Sequence, residues 1–454
     1  MHPSRAIRGR STRLLEGRRI LIGVSGSIAA VEVPRIVREL LRHGADVRAV
    51  MSPEATRLLT PEAVEFATGH PPVLQLTGMV EHVTLLGPGE GQVDLYVIAP
   101  ATANTIAKVA HGIDDTPVTS CASVALGGHV PILLVPAMHG FLGQNPAVRE
   151  SLDRLRGWGV EVLTGAATEG EEKIASPEQV AAAVLHRLAR GPWAGRRVIV
   201  IGGAARESID AVRSITNEST GRTALALANQ AHYRGARVEL WAGALAVTPP
   251  PWVEVHAWRS VADLIALAKA RSAELAEAAA VLVPAALADY TLRPAPGKIS
   301  SRDRPKLHLA LDPAPRVLPL LRRIARPPCR LVAFKLLSGG DPRALEEEGR
   351  RLQRETNADW VVANDVAALG AEATSVLVVP RDGRPWRLGG PKGEVAGKLL
   401  DDLGRSLPQA GPGAGPGAGP TASATAPSGS RPRSRSRGNR PGSRRAGPRR
   451  AGAA

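Results

Sequence analysis

The sequence predicts an α/β protein built from two doubly wound, Rossmann-like domains and a disordered C-terminal tail. An apolar strand, a glycine-containing turn and an amphipathic helix follow one another at residues 18–44, and a similar order begins again at residue 197. The last 49 residues are almost entirely Gly, Pro, Ala, Ser, Thr and Arg, a composition that cannot bury an apolar core. We therefore predict domains at residues 1–190 and 191–405, followed by a tail at residues 406–454.

The first domain is predicted from strands that end in polar segments. Four apolar runs are typical of buried parallel strands, and they lie at residues 18–24, 46–51, 94–99 and 130–135. The second run ends just before Ser52, the third before Pro100–Thr105, and the fourth before Pro136–His139. Because open α/β sheets bind ligands at the carboxyl ends of their strands, these segments predict a binding site as well as a fold.

The second domain is predicted from a new alternation of strands and helices after a linker that contains glycine and proline. Its elements are expected at residues 197–201, 224–233, 238–241, 261–278 and 280–284. The turn after the first of these strands begins with Gly202 and Gly203, but the pattern Gly-X-Gly-X-X-Gly is absent. A second doubly wound sheet is therefore expected, without the fingerprint of a dinucleotide site.

Charge and cysteine content limit the classes of protein. The formal net charge is +16, and nine arginines of the tail supply more than half of it. The composition of the tail fits either a polyanion-binding arm or a solvated extension. The tail lacks the aromatic residues that stack on nucleic-acid bases. We therefore do not expect nucleic-acid binding, except through the charge of the tail. Two cysteines, Cys121 and Cys329, give no disulfide framework, and no apolar run is long enough for a membrane span. We expect a cytoplasmic protein.

Four segments of the first domain occur in the order found in a known flavoprotein family. They are Gly26–Ala29, Glu81–Val83, Pro100–Lys108 and Pro136–His139. Residues 18–190 resemble the homo-oligomeric flavin-containing cysteine decarboxylases, and among these the phosphopantothenoylcysteine decarboxylases. The resemblance implies FMN as cofactor, with a binding site formed by Gly26, Ser27, Ile28, Ser52, Thr102, Asn104 and Thr105. It also implies a catalytic role for His82 in thiol oxidation and CO2 loss, and substrate binding by Met138, His139 and Lys173.

Two departures from that family bear on the chemistry. His139 stands where the family has asparagine, and a neutral imidazole can still donate one hydrogen bond to a substrate carboxylate. The family's flexible clamp carries a cysteine that reprotonates the enethiol intermediate, whereas residues 164–174 contain none. Lys173 or one of the glutamates Glu171 and Glu172 is a candidate for this role, and the alternative is that the segment is only a polar loop. Cys121 is expected in a packed helix and is not assigned as the acid.

Six patches of the second domain resemble those of phosphopantothenate–cysteine ligases. They are Arg206–Arg222, Ala285–Tyr290, Gly297–Ile299, Pro315–Leu318, Phe334 and Ala363–Val366. In such a ligase a carboxylate attacks the α-phosphate of a nucleotide, and the amine of cysteine then displaces the nucleotide. The resemblance implies that Asn217 and Lys298 are catalytic and that Arg213 binds substrate. It implies nucleotide binding by Ala285, Ala286, Asp289, Lys298, Pro315, Arg316, Val317, Leu318 and Phe334.

Together the two halves resemble the archaeal-like variant of the bifunctional coenzyme A biosynthesis enzymes. The resemblance implies CTP-dependent ligation of 4'-phosphopantothenate to L-cysteine, and then FMN-dependent decarboxylation to 4'-phosphopantetheine. It also implies Mg2+ with CTP, on ligands that the sequence does not identify, and a homo-oligomer. Arg222 replaces a usual lysine, and an arginine can also hold phosphate. Two alternatives stay open: a flavoprotein decarboxylase with another substrate, and a non-catalytic regulatory flavoprotein.

Overall fold

The computed structural model describes residues 2–165, 167–168, 171–172, 174–300, 306–338, 341–365 and 371–408, all within one compact unit. The strands of the first domain are β1 Arg19–Val24, β2 Asp46–Met51, β3 Leu95–Ala101, β4 Ile132–Pro136, β5 Met138–His139, β6 Glu161–Val162, β7 Ala167–Thr168 and β8 Glu171–Glu172. Its helices are α1 Pro3–Ile7, α2 Val33–Arg42, α3 Pro61–Thr68, α4 Glu81–Leu86, α5 Ala103–Ala110, α6 Pro117–Gly127, α7 Gly140–Gln144, α8 Pro146–Gly157 and α9 Pro177–Leu188.

The main sheet of the first domain is parallel and has the strand order β2-β1-β3-β4-β6. Strands β1 and β3 are almost wholly buried because helices cover both faces, which explains why they are continuous apolar runs and do not alternate. The chain passes from β1 to β2 on one side and from β3 to β4 on the other. The strand order therefore reverses between β1 and β3, which is where doubly wound sheets bind ligands.

The second domain has the following elements. Its strands are β9 Arg197–Gly202, β10 Arg206–Ser208, β11 Ser214–Thr216, β12 Arg237–Ala242, β13 Glu254–Ala257, β14 Ala280–Val283, β15 Tyr290–Thr291, β16 Asp312–Pro313, β17 Arg330–Leu337, β18 Trp360–Asp365, β19 Ala373–Pro380 and β20 Trp386–Pro391. Its helices are α10 Arg222–Tyr233, α11 Val261–Ala270, α12 Ser272–Glu277, α13 Val317–Ile324, α14 Pro342–Thr356 and α15 Lys392–Arg405.

The large sheet of the second domain has the order β13-β12-β9-β14-β17-β18-β19-β20. Its first six strands are parallel, as the sequence predicts, and the order reverses between β9 and β14. The last two strands, β19 and β20, pair antiparallel at one edge. The sequence analysis did not predict these two strands. They lie at the edge of the sheet that packs beside α15.

The single helix predicted at residues 261–278 is wrong, because two helices occupy this segment. Arg271 lies between α11 and α12 with φ −107° and ψ 36°, which is outside the helical region. Its guanidinium pairs with Glu239 at 3.3 Å and with Glu274 at 3.3 Å. The buried carboxylate of Glu239, which also pairs with Arg197 at 3.4 Å, therefore contacts the residue at the break.

Helices α9 and α10 join the two domains. The imidazole rings of His186 in α9 and His232 in α10 stack with centroids 4.3 Å apart, and His186 Nδ1 donates to the carbonyl oxygen of His232 at 3.0 Å. At the other end of the second domain, Leu407 is buried in its core, so the predicted tail begins with residues that still pack. Among the described residues, none of the helices has both the length and the apolar character to cross a membrane.

Candidate active sites

The loops that follow β1 and β3 are tied together at the edge where the first sheet reverses its order. The buried hydroxyl of Ser25 donates to the carbonyl oxygen of Pro100 at 2.7 Å and accepts from the backbone N–H of Thr102 at 3.1 Å. Ser25 therefore holds both predicted cofactor segments in one arrangement. The sequence analysis missed this residue, although its place between a strand and Gly26 was a usable signal.

Gly26 and Ser27 form a tight turn at this edge. A Cβ on residue 26 would lie 2.4 Å from Cβ of Glu54, so any larger side chain would displace the segment after β2. Ser27 caps the following 3-10 turn by accepting from the N–H of Ala29, and Ser52 is buried with its hydroxyl accepting from the N–H of Ala55. These hydrogen bonds hold the loops after β1 and β2 in place. The hydrogen-bond donors that the two loops do not use lie at the carboxyl edge of the sheet.

The segment Thr102–Thr105 forms the first turn of α5, which begins directly after β3. Thr102 caps the helix by accepting from the N–H of Thr105 at 3.2 Å, and the two hydroxyl groups lie 3.0 Å apart. Asn104 is exposed, and its amide makes no hydrogen bond within the described part of the chain. A helix N-terminus and a free amide at a strand end can both bind an anionic or carbonyl-bearing ligand.

His82 is the second residue of α4, a helix between β2 and β3. Its ring is half-buried, and Nδ1 is buried without a hydrogen-bond partner among the described residues. The neighbouring Glu81 carboxylate is held by Thr77, whose hydroxyl donates to it and lowers the pKa of Glu81. A buried polar atom without a partner is costly, which favours a ligand or a catalytic use for His82.

His139 and Met138 form β5, which follows β4 after one residue. Strand β5 pairs with β8 in a small sheet that also contains β7, so residues of the predicted clamp lie beside His139. The His139 ring is exposed and stacks on Phe141 with centroids 5.5 Å apart, whereas Met138 is buried. Lys173 lies outside the described residues.

Cys121 is buried in α6, as the sequence predicts. Burial raises the pKa of its thiol to about 12, so the group stays protonated near neutral pH. Helix α6 lies within the apolar cluster on the face of the sheet that contains Tyr96. A buried thiol in such a cluster is typical of a packing residue.

In the second domain, the loops after β9, β12 and β14 meet where the strand order reverses. Ala204 forms isolated bridges with Ala244 and Ala286, which connects all three loops. The Asn217 side chain donates from Nδ2 to the carbonyl oxygen of Leu287 at 2.8 Å. The predicted catalytic asparagine is therefore held against the predicted nucleotide-binding loop.

A cleft of about 1070 Å³ opens at this point. The cleft brings together nine predicted site residues, and they are Asn217, Ala285, Ala286, Asp289, Pro315, Arg316, Val317, Leu318 and Phe334. Tyr290 of the predicted patch Ala285–Tyr290 also lines it, as do Lys335 and Glu355, which the sequence analysis did not identify. Lys335 directly follows Phe334 in β17, so a lysine beside a predicted site residue was the signal available.

Lys298 and Arg213 do not line that cleft. Lys298 is exposed on a loop that the turn before β11 holds in place, since Asp210 accepts from the N–H of Ile299 at 3.1 Å. Arg213 Nη1 donates to Asp210 at 3.0 Å and to the carbonyl oxygen of Ile299 at 3.2 Å. Backbone hydrogen bonds, first that from Val212, lower the pKa of Asp210. In this arrangement Arg213 positions the Lys298 loop.

A second, narrower cavity of about 160 Å³ lies on the other side of Phe334. It shares Glu218, Ala285, Ala286, Phe334 and Leu336 with the first cleft. It is lined by Arg222 at the start of α10 and by Lys392 at the start of α15, and burial together with the charge of Arg222 lowers the pKa of Lys392. Its opposite wall is apolar and includes Val362, Val376 and Leu399.

Comparison with known proteins agrees with this two-part arrangement. Residues 8–189 match the flavoprotein family model, and residues 193–406 match the model of the DNA/pantothenate metabolism flavoprotein C-terminal domain. The coenzyme A biosynthesis bifunctional protein CoaBC of Thermococcus kodakarensis is 38% identical over 410 residues, covering 90% of this chain and 100% of that protein. The chain belongs to this family.

Other members of the family align over similar lengths. The CoaBC protein of Methanocaldococcus jannaschii is 30% identical over 89% of this chain and 97% of its own length. That of Bacillus subtilis is 28% identical over 88% and 99%. The chain is therefore a bifunctional coenzyme A biosynthesis enzyme with phosphopantothenoylcysteine decarboxylase and phosphopantothenate–cysteine ligase activities, and the family prediction is confirmed.

Proposed function

We propose that the ligase reaction takes place where the two cavities of the second domain meet. The wide cleft would hold CTP, with its base and ribose against Ala285–Ala286 and Pro315–Leu318 and with Phe334 covering the base. The narrow cavity would hold 4'-phosphopantothenate, since it offers two cations for the phosphate and an apolar wall for the pantoyl methyl groups. The shared wall is the observation that carries this proposal, because it lets a carboxylate approach an α-phosphate.

The chemistry at that wall needs positioning and charge neutralisation. The substrate carboxylate attacks the α-phosphorus, the bond to the pyrophosphate group breaks, and the amine of L-cysteine then displaces CMP from the acyl carbon. We assign Asn217 to holding the acyl-cytidylate, because its amide already lies at the rim of the cleft. Lys298 would neutralise the triphosphate after a movement of its exposed loop, and Arg213 would hold that loop.

Mg2+ is proposed to accompany CTP. Phosphate oxygens are the hard ligands that this ion prefers, and it usually binds proteins through few carboxylates and several phosphate oxygens. Glu218, Asp289 and Glu355 are the acidic residues that line this site. Of these three we propose Asp289 as the one beside the nucleotide, because it follows the loop that Asn217 contacts.

In the first domain, FMN is proposed to bind where the strand order reverses between β1 and β3. The residues present fit it: Gly26 permits close approach, Thr102–Thr105 offers a helix N-terminus and an amide, and Ser25 fixes both loops. When bound, FMN supplies the redox chemistry, taking electrons as the thiol is oxidised and returning them after CO2 loss. We assign His82 to accepting the thiol proton and His139 to binding the carboxylate.

A homo-oligomer is proposed because exposed apolar side chains lie in or near three segments of the decarboxylase site. Ile28, a predicted site residue, is 74% exposed, Met79 before His82 is 75% exposed and Phe141 after His139 is 80% exposed. A second copy of the chain could cover these groups and close the site, since isolated apolar residues of this size at a binding edge often mark an interface. The cytoplasmic location stays a prediction.

Purified protein tests the proposal directly. We expect a yellow preparation that forms pyrophosphate only when CTP, 4'-phosphopantothenate and L-cysteine are all present, and that then releases CO2. Replacing CTP with ATP should lower pyrophosphate formation, while removal of Mg2+ with a chelator should abolish it. Equal rates with ATP would contradict the nucleotide assignment, and a colourless preparation that decarboxylates would contradict the cofactor assignment.

A further inference from the structure

A polar cleft of about 560 Å³ lies at the amino-terminal ends of the strands of the first domain, at the opposite sheet edge from the proposed flavin site. Residues 92–94 line it just before β3, and residues 129–131 line it just before β4. The third wall is the end of α9 and the start of the linker, residues 187–190. Neither of the two proposed active sites includes residues of this cleft.

The cleft carries positive charge that its own carboxylate does not offset. The Oδ1 atom of Asp94 accepts from Arg18 Nη1 at 2.8 Å, and its Oδ2 atom accepts from the N–H of Arg19 at 2.8 Å. The side chains of Arg187 and Arg190 form neither a hydrogen bond nor an ion pair with any residue that the structure describes. Burial raises the pKa of Glu161, and the charge of Arg187 opposes this rise, but the two side chains do not form an ion pair.

The corresponding cleft of the second domain shows what arginines do when their role is structural. It lies at the amino-terminal ends of β9 and β14 and contains Arg196, Arg197 and Arg237. Arg196 donates to the carbonyl oxygen of Pro408, Arg237 donates to that of Gly195 at 2.9 Å, and Arg197 pairs with Glu239 at 3.4 Å. All three hold the fold together, whereas the two arginines of the first cleft have no such partner.

We propose that the cleft at Arg187 and Arg190 binds an anion that carries a phosphate monoester or diphosphate group. Each guanidinium can hold two phosphate oxygens in a planar, bidentate arrangement, and two of them match the charge of a dianion. His129 lies at the same cleft with a left-handed backbone (φ 55°) and adds a third donor. The volume is sufficient for an organic phosphate, and the opening admits it from solvent.

The position of the cleft gives such a ligand access to the junction of the two domains. Arg187 directly follows His186, which stacks on His232 of the second domain. Arg190 is the last residue before the linker at residues 191–195. A ligand that orders both arginines therefore stiffens the end of α9 and the linker together, and the effect reaches the second domain through the stacked rings.

The test uses the full-length, FMN-loaded protein and isothermal titration calorimetry at low ionic strength. The probes are pyrophosphate, inorganic phosphate and 4'-phosphopantetheine, the first chosen because the proposed ligase reaction releases it. The comparison is with the double variant Arg187→Gln/Arg190→Gln. For at least one probe, wild-type protein should show one additional binding site per chain, or a dissociation constant at least about tenfold lower, than this variant. The preferred probe identifies the source of the phosphate group.

The matched control is Arg10→Gln/Arg48→Gln, which removes the same charge from two exposed arginines of the first domain whose side chains make no hydrogen bond or ion pair with the described residues. It should keep the extra site, and both double variants should retain FMN and the KM for CTP. Equal loss in both variants, or none in either, would overturn the proposal. Hydrogen–deuterium exchange gives the location: ligand protection must appear at residues 129–131 and 186–190, and protection confined to the ligase cleft would also overturn it. A failure of the proposed ligase reaction would show in turnover, which this titration does not need.

Discussion

Acidification should destabilise the junction of the two domains through His232. This side chain is 9% exposed, its Nε2 atom is buried without a partner among the described residues, and its ring stacks on His186. Burial first, and then the charge of His186, lower the pKa of His232 from 6.5 to about 3. A proton on His232 would therefore place a charge where neither water nor a carboxylate receives it.

The sign and size of the effect follow from proton linkage. The unfolded chain binds a proton at His232 below pH 6.5, whereas the folded chain does so only near pH 3, so the folded state loses stability as the pH falls between these values. At about pH 5 the unfolded state gains about 2 kcal/mol from this one group, and above pH 6.5 it gains almost nothing. The contribution that the neutral form of His232 makes to the stability of the folded chain is therefore present at neutral pH and is lost on acidification.

Urea unfolding at about pH 7.5 and about pH 5 measures this loss in wild-type protein and in His232→Phe, which keeps a stacked ring without a titrating group. We expect the pH-dependent loss to be about 2 kcal/mol smaller in the variant. His111→Asn is the control, because His111 is exposed at the C-terminal cap of α5, and this variant should lose as much stability between the two pH values as wild type. The same pH dependence in wild type and His232→Phe would refute the reasoning.

Three further predictions concern the proposed sites. His82→Asn should reduce CO2 release by about 10²–10⁴-fold and leave pyrophosphate formation intact, and loss of both in folded protein would refute the division of labour. Asn217→Asp should block amide formation, measured as cysteine incorporation, because it places a negative charge beside the acyl intermediate; normal ligation would remove Asn217 from the site. Gly26→Val should lower flavin content, read from visible absorbance, because its Cβ meets Glu54; full flavin retention would show that the loop does not approach the cofactor.

The positions of the loops at the strand ends could be predicted from the sequence, because a parallel sheet brings the loops after its strands to one edge. Once Thr102 and Gly26 were assigned to strand ends, the strand order alone brought them to one edge. Ser25 was harder to assign, since its value lies in two hydrogen bonds to a loop 75 residues away in sequence. Such a pairing depends on the order of the strands, which local patterns do not determine.

The second domain shows the same division between local and distant information. The patch around Asn217 was found from its residues, but the cavity with Arg222 and Lys392 was not, because these cations are 170 positions apart and meet only when α15 packs on α10. The break at Arg271 was also missed. Helical periodicity continued through it, and the contact of Arg271 with Glu239, 32 positions away in β12, is not visible in the local pattern.

One geometric rule accounts for where both proposed active sites lie and where the anion cleft lies. In each domain the strand order reverses beside the first strand, so the loops there separate and leave a crevice at the carboxyl ends. At the opposite edge the strands begin, and there the side chains of Arg187 and Arg190 of the first domain have no partner among the described residues. Because α9 ends at that edge and continues into the linker, the cleft at Arg187 is the place where a ligand can act on both domains without entering either active site.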